Sequence, residues 1–278
     1  MIARELAAGI YKIRNAPVVV ENRPSAGGLV ATRIISHGTT NGSLLGFASQ
    51  GTLIFNTILN SDPGYDPLAD FVHVTALFSI SNVLITPYSR SYRSLADLVS
   101  AAKTQPGRLF FSSGGVGTSH HVTAELLMTE THVLMTHVPY SSAPAAINAV
   151  VSGEVDFGFF NTPTVLELIR ANRVRALCVT SLQRSNLLPS LPTVAESGIP
   201  GFELSSWMGL VLPRHTEVAI AHEYFLTARD ILRDTGFVAK MAKLGLDPMP
   251  SYGPSNFRQL IARELDRWRP VLSHSVPG

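Results

Sequence analysis

Phe111-Ser112-Ser113-Gly114-Gly115-Val116-Gly117-Thr118-Ser119-His120-His121 reads as a short apolar strand that passes through a loop of glycines and hydroxyls into the first turn of a helix. A helix start has unpaired N–H groups and the positive end of the peptide dipole, so this arrangement favours a carboxylate or a phosphate. An ordinary strand-to-helix turn that uses glycine for positive φ has the same appearance, and the loop by itself leaves both readings open. A dinucleotide loop is not read here: the third glycine of GxGxxG is missing, and no Gly-Lys-Ser/Thr follows for a P-loop.

Outward from this loop, short β-rich runs alternate with longer stretches of helical spacing. Strands are expected at Val18–Glu21, Leu44–Ala48, Val83–Thr86, Leu109–Ser112, Val155–Phe160, Val174–Val179 and Met208–Leu212. Helices are expected over Ser94–Lys103, where Ser94 and Asp97 fit a capping box, and over Thr118–Thr131, Pro144–Ser152 and Thr162–Ala171, the last two with proline near the first turn. Such alternation favours parallel sheets with helices on both faces, and gives an α/β class. The end of the chain is richer in helix: Glu217–Arg233, Phe237–Leu244 and Ser255–Leu272 follow one another. Proline-containing segments at Thr86–Arg93 and Leu188–Phe202 are the expected crossings between two lobes, so a middle lobe is inserted into a first one.

Composition narrows the function. At 278 residues the chain has room for two cores, and its net charge of +2 comes from scattered Lys and Arg rather than a basic face, which argues against nucleic acid as a partner. Cys178 is the one cysteine, so an internal disulfide and a CxxC metal site are excluded, and a buried packing role is expected for it. No apolar stretch approaches the roughly 18 residues of a membrane span. The start lacks a basic patch followed by an apolar run, so neither a signal peptide nor direct membrane insertion is read in this chain.

Two further strand-end loops carry small polar residues: Asn22-Arg23-Pro24-Ser25-Ala26-Gly27-Gly28 before a helix at Leu29–Ser36, and Ala48-Ser49-Gln50-Gly51-Thr52. Since ligands of open α/β sheets sit at the carboxyl ends of strands, these loops are expected to face one crevice with the first. His137-Val138-Pro139-Tyr140-Ser141-Ser142-Ala143-Pro144 and Phe159-Phe160-Asn161-Thr162-Pro163 add a tyrosine and an amide near two more helix starts, where helix capping is the competing role. Catalysis is the weaker reading. Ser119 beside His120 lacks a GxSxG elbow, and neighbours in a helix point apart. His120, His121, His132 and His137 have no HExxH or comparable ligand spacing, so no metal is expected, and no paired carboxylates offer acid–base chemistry.

With these loops in view, the chain resembles the Bug/TctC family, the extracytoplasmic solute receptors of tripartite tricarboxylate transporters. Val18-Val19-Val20-Glu21-Asn22-Arg23-Pro24-Ser25-Ala26-Gly27-Gly28 is similar to the family's VVVENRPGAGG, and Tyr65-Asp66-Pro67-Leu68-Ala69-Asp70-Phe71 to its YDPxxDF. Ser112–His120, His137-Val138-Pro139-Tyr140, Arg175–Ser181 and Leu191–Gly198 follow in the family's order and spacing.

The resemblance implies a two-lobe type II periplasmic-binding-protein fold, with residues 1–87 and 207–278 forming lobe 1 and residues 88–206 forming the inserted lobe 2. It implies capture of a small carboxylate, a dicarboxylate or related organic acid, in an inter-lobe cleft. Expected contacts are Ala26, Gly27, Gly28, Ser49, Thr52, Ser113, Gly117, Thr118, Ser119, Tyr140, Ser142 and Asn161, acting through backbone N–H groups, hydroxyls and water. No catalytic residue, cofactor or metal is implied. The protein is expected to act as a periplasmic monomer that delivers ligand to membrane transporter subunits. Family chains open with an export signal, a strand and a Pro-Gly-Gly loop, whereas this chain opens in Ile2–Arg14, which matches the first helix. One ligand loop and a central strand of lobe 1 are therefore expected to be missing. Phe160 stands where many members carry Asp, which makes amino-acid ligands such as aspartate less expected. Two other readings are a cytosolic sensor or vestigial paralogue without transport, and a hydrolase using Ser119 and His120.

Overall fold

The computed structural model describes residues 2–23, 26–249 and 253–272. The chain forms two compact units: unit 1 runs to Ser79 and resumes over Trp207–Pro270, while unit 2 takes Ile80–Ser206 with Val271 and Leu272. The first change of unit falls between Ser79 and Ile80. One strand, β2, runs uninterrupted over Phe71–Pro87. The second falls inside another strand, between Ser206 and Trp207.

Unit 1 opens with α1 (Ile2–Arg14), whose Leu6, Ala7 and Ile10 share one buried face. Gly9 lets this helix approach α8 (Val218–Arg233) closely, since a Cβ at Gly9 would lie 2.9 Å from Ile231. A short 3₁₀ turn, Ala26–Gly28, leads into α2 (Leu29–Ser36). Strand β1 (Gly46–Ser49) pairs antiparallel with β7 (Ser205–Pro213), and β7 lies beside β2. The core is aromatic: Trp268, at 0% exposure, meets Phe55 edge-on at 5.2 Å, and Trp207 meets Phe257 at the same distance. Trp268 lies on α10 (Pro254–Leu272) and donates its indole N–H to Glu264 at 2.8 Å.

The strand expected at Val18–Glu21 does not form. Residues 16–23 are irregular, and Val19 is 90% exposed. A strand persists only where its N–H and C=O groups find a partner. Among the described residues, β1 pairs with β7 alone and no strand is paired to 18–21. The β-rich sequence is therefore present without the ladder that would order it.

Unit 2 has the mixed sheet order β6–β2–β5–β3–β4, built from β3 (Phe110–Ser113), β4 (Thr136–Pro139), β5 (Phe157–Asn161) and β6 (Val174–Val179) around the second part of β2. Strands β5, β3 and β4 are parallel neighbours, and β2 runs antiparallel to β5 and β6. Each member of the parallel trio feeds a helix: β3 leads to α5 (Ser119–Thr131), β4 to α6 (Ala143–Ser152) and β5 to α7 (Thr162–Arg170). Val83, Ile85, Val150, Phe160, Val165 and Val179 close the core beneath them. The capping box of Ser94 and Asp97 is formed at the start of α4 (Leu95–Thr104). Cys178 is fully buried and free, and burial pushes its thiol well above the ordinary range. No helix among the described residues is long and apolar enough to cross a membrane.

Candidate functional site

Parallel pairing sets the site in unit 2. Because β5, β3 and β4 run the same way side by side, the loops leaving their carboxyl ends share one edge of the sheet, and the starts of α5, α6 and α7 stand next to one another. In the β3–α5 loop, Gly115 and Gly117 take φ of 123° and 76°, which suits glycine at both positions. Thr118 caps α5 by accepting the His121 N–H at 3.4 Å, and its hydroxyl donates to Gly115 O at 2.7 Å. A cap of this kind stabilises by about 1 kcal/mol. It serves the third N–H of the helix and leaves those of Ser119 and His120 without an intrahelical partner.

The hydroxyls expected to contact ligand are largely engaged by the loops themselves. Ser113, at 0% exposure, holds Gly115 through both its N–H and C=O at 3.1 Å and lies 2.7 Å from His137 Nε2. Ser142 caps α6 by accepting the Ala145 N–H. Tyr140 donates its hydroxyl to Glu154 at 2.7 Å, and desolvation with that carboxylate pushes its pKa up to about 12. Ser113 and Ser142 thereby fix the backbone at Gly115 and at Ala145.

Behind the loop, His137 stacks on His121 at 4.2 Å and on Phe111 at 4.8 Å, while His121 Nε2 approaches Glu125 at 3.4 Å. Burial first, then the neighbouring His121, pushes His137 down to about 4, with Glu125 opposing. A stacked pair cannot aim its nitrogens at one point, and among the described residues no group of three His, Cys, Asp or Glu is placed to hold a metal. The Ser113–His137 contact joins a fully buried serine to a partly buried imidazole. Ser119 and His120, adjacent on α5, make no hydrogen bond to each other among the described side chains, as their spacing on a helix dictates.

Asn82 was not singled out by sequence reading. It lies on β2 at 0% exposure and donates to Thr123 Oγ1 at 2.9 Å while accepting Asn161 Nδ2 at 2.9 Å. It thus ties the end of β5 to the start of α5. The available signal was a lone amide inside the apolar run Ile80–Ile85, a place where a polar side chain persists only when it is satisfied.

Unit 1 brings together Gly27, Gly28, Ser49 and Thr52. Asn56 donates to Gly27 O at 2.8 Å, and a Cβ at Gly28 would lie 2.8 Å from the Thr52 methyl. Ser49 N–H donates to Thr52 Oγ1 at 2.9 Å, and Tyr65 donates to Thr52 O. Ala26 contributes the backbone that opens the turn, and Pro24 and Ser25 of the same loop lie outside the described residues. Asn56 is the residue missed here.

The family model described as tripartite tricarboxylate transporter family receptor matches residues 2–275. The chain is similar to BugT of Bordetella pertussis, with 31% identity over 98% of this chain and 83% of that protein. Among solved structures it is similar to Rpa4515 of R. palustris with adipate, at TM-score 0.92 and 29% identity over 98% of this chain and 91% of that one. It is also similar to MatC of Rhodopseudomonas palustris with bound malate, at TM-score 0.89 and 26% identity over 98% and 93%. The fold is shared with the periplasmic binding protein BugD, at TM-score 0.89.

Proposed function

This chain belongs to the tripartite tricarboxylate transporter family of receptors, and from that premise we propose that it reversibly captures a small organic carboxylate without altering it. The observation that carries this reading is the group of adjacent helix starts at the carboxyl ends of β5, β3 and β4, with the first amides of α5 left unpaired. An anion there gains from the N–H groups and from the helix dipole, and needs no arginine. The adipate and malate bound by two neighbours, both dicarboxylates, support a dicarboxylate or related acid here. Within unit 1, taken by itself, Gly27, Gly28, Ser49 and Thr52 are proposed to offer backbone and hydroxyl groups of the same kind. Delivery to transporter subunits in the periplasm, by a monomer, is the matching partner reading.

A thermal-shift screen of three- to six-carbon carboxylates and aromatic acids tests the proposal. A ligand that binds only the folded chain at a hundred times its Kd adds about 2.7 kcal/mol and raises Tm accordingly. No shift by any acid, with a shift by amines or sugars run alongside them, overturns it.

A further inference from the structure

The loop between α2 and β1 contains Asn41-Gly42-Ser43, and Asn41 is the only asparagine of this chain that is followed by glycine. The turn is built around the Asn41 amide. Its Oδ1 accepts the Ser43 N–H at 3.0 Å and the Ser43 hydroxyl at 2.7 Å, so an Asx turn has gained a second donor. Thr39 Oγ1 lies 3.2 Å from that hydroxyl and, by donating to it, keeps the Ser43 proton on Asn41. Asn41 and Ser43 are exposed, whereas Gly42 is half-buried. The Gly42 C=O accepts from the Tyr224 hydroxyl at 2.7 Å, and a Cβ at Gly42 would lie 2.7 Å from Ile220 of α8. Gly42 takes φ of 82°, which glycine adopts at no steric cost.

Three features of this turn favour attack of a backbone nitrogen on the side-chain amide carbon. Both hydrogen bonds reach Oδ1, so they draw electrons from Cγ and bend the side chain forward along the backbone, toward Gly42 N. Neither the Gly42 N–H nor Asn41 Nδ2 makes a hydrogen bond among the described residues, which leaves both nucleophile and leaving group free. The missing Cβ of Gly42 keeps the approach to its nitrogen open. Other asparagines are held differently: Asn56, Asn60, Asn82 and Asn161 each commit Nδ2 to an acceptor.

We propose that Asn41 is a site of spontaneous covalent modification, assisted by the Ser43 hydroxyl and independent of the carboxylate reading above. Gly42 N gives up its proton to solvent and bonds to Asn41 Cγ, closing a five-membered succinimide. The Cγ–Nδ2 bond breaks in the same step, and the departing nitrogen takes up a proton and leaves as ammonia. Water then opens the ring at either carbonyl, which gives an aspartate or an isoaspartate at position 41. Nothing is oxidised or reduced: one water enters and one ammonia leaves. Either product adds a negative charge to unit 1. Isoaspartate also inserts a methylene into a main chain that Tyr224 and Ile220 hold in place, so this turn must loosen from α8.

Peptide mapping by mass spectrometry tests this on the full chain, incubated at body temperature at neutral and at mildly alkaline pH. The expected result is a gain of about 1 Da confined to the peptide that carries Asn41, split between two products and faster at the higher pH. Asn41→Gln, whose ring would need six members, abolishes the gain. Ser43→Ala slows it about fivefold in the folded chain, the rate equivalent of one hydrogen bond of roughly 1 kcal/mol. In urea, where the turn is lost, the wild-type chain and Ser43→Ala react at the same rate. No gain at Asn41, or a gain spread over the asparagines at large, overturns the site. A Ser43→Ala chain that reacts at the wild-type rate when folded overturns the assistance and leaves only the dipeptide's own reactivity.

Discussion

The Gly27–Gly28 turn of unit 1 and the Gly114–Gly117 loop of unit 2 look alike as sequence, since both are small residues leading into a helix. Their settings differ. The unit 2 loop leaves β3, which is paired on both sides by β4 and β5, and enters a helix of 13 residues through a Thr118 cap. The unit 1 turn follows an irregular, exposed segment, enters a helix of 8 residues without a side-chain cap, and is held through Asn56. A run of backbone amides becomes a preorganised anion site when the strand before it is locked into a sheet. The motif alone does not achieve this.

The largest expected break in this comparison comes from acid. His120 and His137 in unit 2 are held near 4 against an ordinary 6.5, and His73 in unit 1 is lowered as well, each chiefly by burial. A histidine with a depressed folded pKa stays neutral in the native state while the unfolded chain takes up a proton. Stability therefore falls as pH drops from about 6.5 toward 4, by at most about 1.4 kcal/mol per unit for each residue, and is unaffected by these groups above that window. Urea midpoints at pH 7 and 4.5 measure this loss, and His137→Phe is expected to flatten it. A midpoint that holds steady across the window contradicts the burial of these rings.

Next in size is the contrast between the two hub amides. Asn82→Leu leaves the half-buried Asn161 amide without its acceptor and Thr123 without its donor, and is expected to cost about 2–3 kcal/mol, whereas Asn56→Leu frees one carbonyl at the rim of a turn and is expected to cost about 1 kcal/mol. Chemical denaturation of both variants decides the order. Equal costs would erase the distinction between the two loops. The smallest effect is expected at Val19, where the exposed, unpaired side chain makes Val19→Thr neutral within about 0.5 kcal/mol. A loss above about 1 kcal/mol would show that residues 18–21 are held by a ladder after all.

Most of the scaffold was legible in the sequence. Leu29–Ser36 and Val174–Val179 form with the ends read from the pattern, and Ile2–Arg14 forms with the ends that the family resemblance implies. Val18–Glu21 reads equally well and fails, since strand order depends on a neighbour that periodicity cannot see. The first half of β2 and the strand at Thr136–Pro139 escaped notice because His73, Thr75 and His137 interrupt the apolar pattern, although His73 and Thr75 end up buried. For the site, the glycine loops and the Thr118 cap were visible. The roles of Asn82 and Asn56 were not, because they depend on partners 29 to 79 residues away. Several hydroxyls read as ligand contacts also make bonds within unit 2: Ser142 caps α6, a common role of serine at a helix start, and Tyr140 donates to Glu154.

The central claim is that unpaired amides at the start of α5 hold the carboxylate. Amide nitrogen–proton NMR of the full chain, titrated with succinate and malate, tests it directly. The account predicts that Gly117, Ser119 and His120 shift together, saturate with a single Kd and move downfield as each N–H gains an anionic acceptor. Saturable binding that leaves these three amides in place, with shifts confined to arginine or lysine side chains, would contradict it.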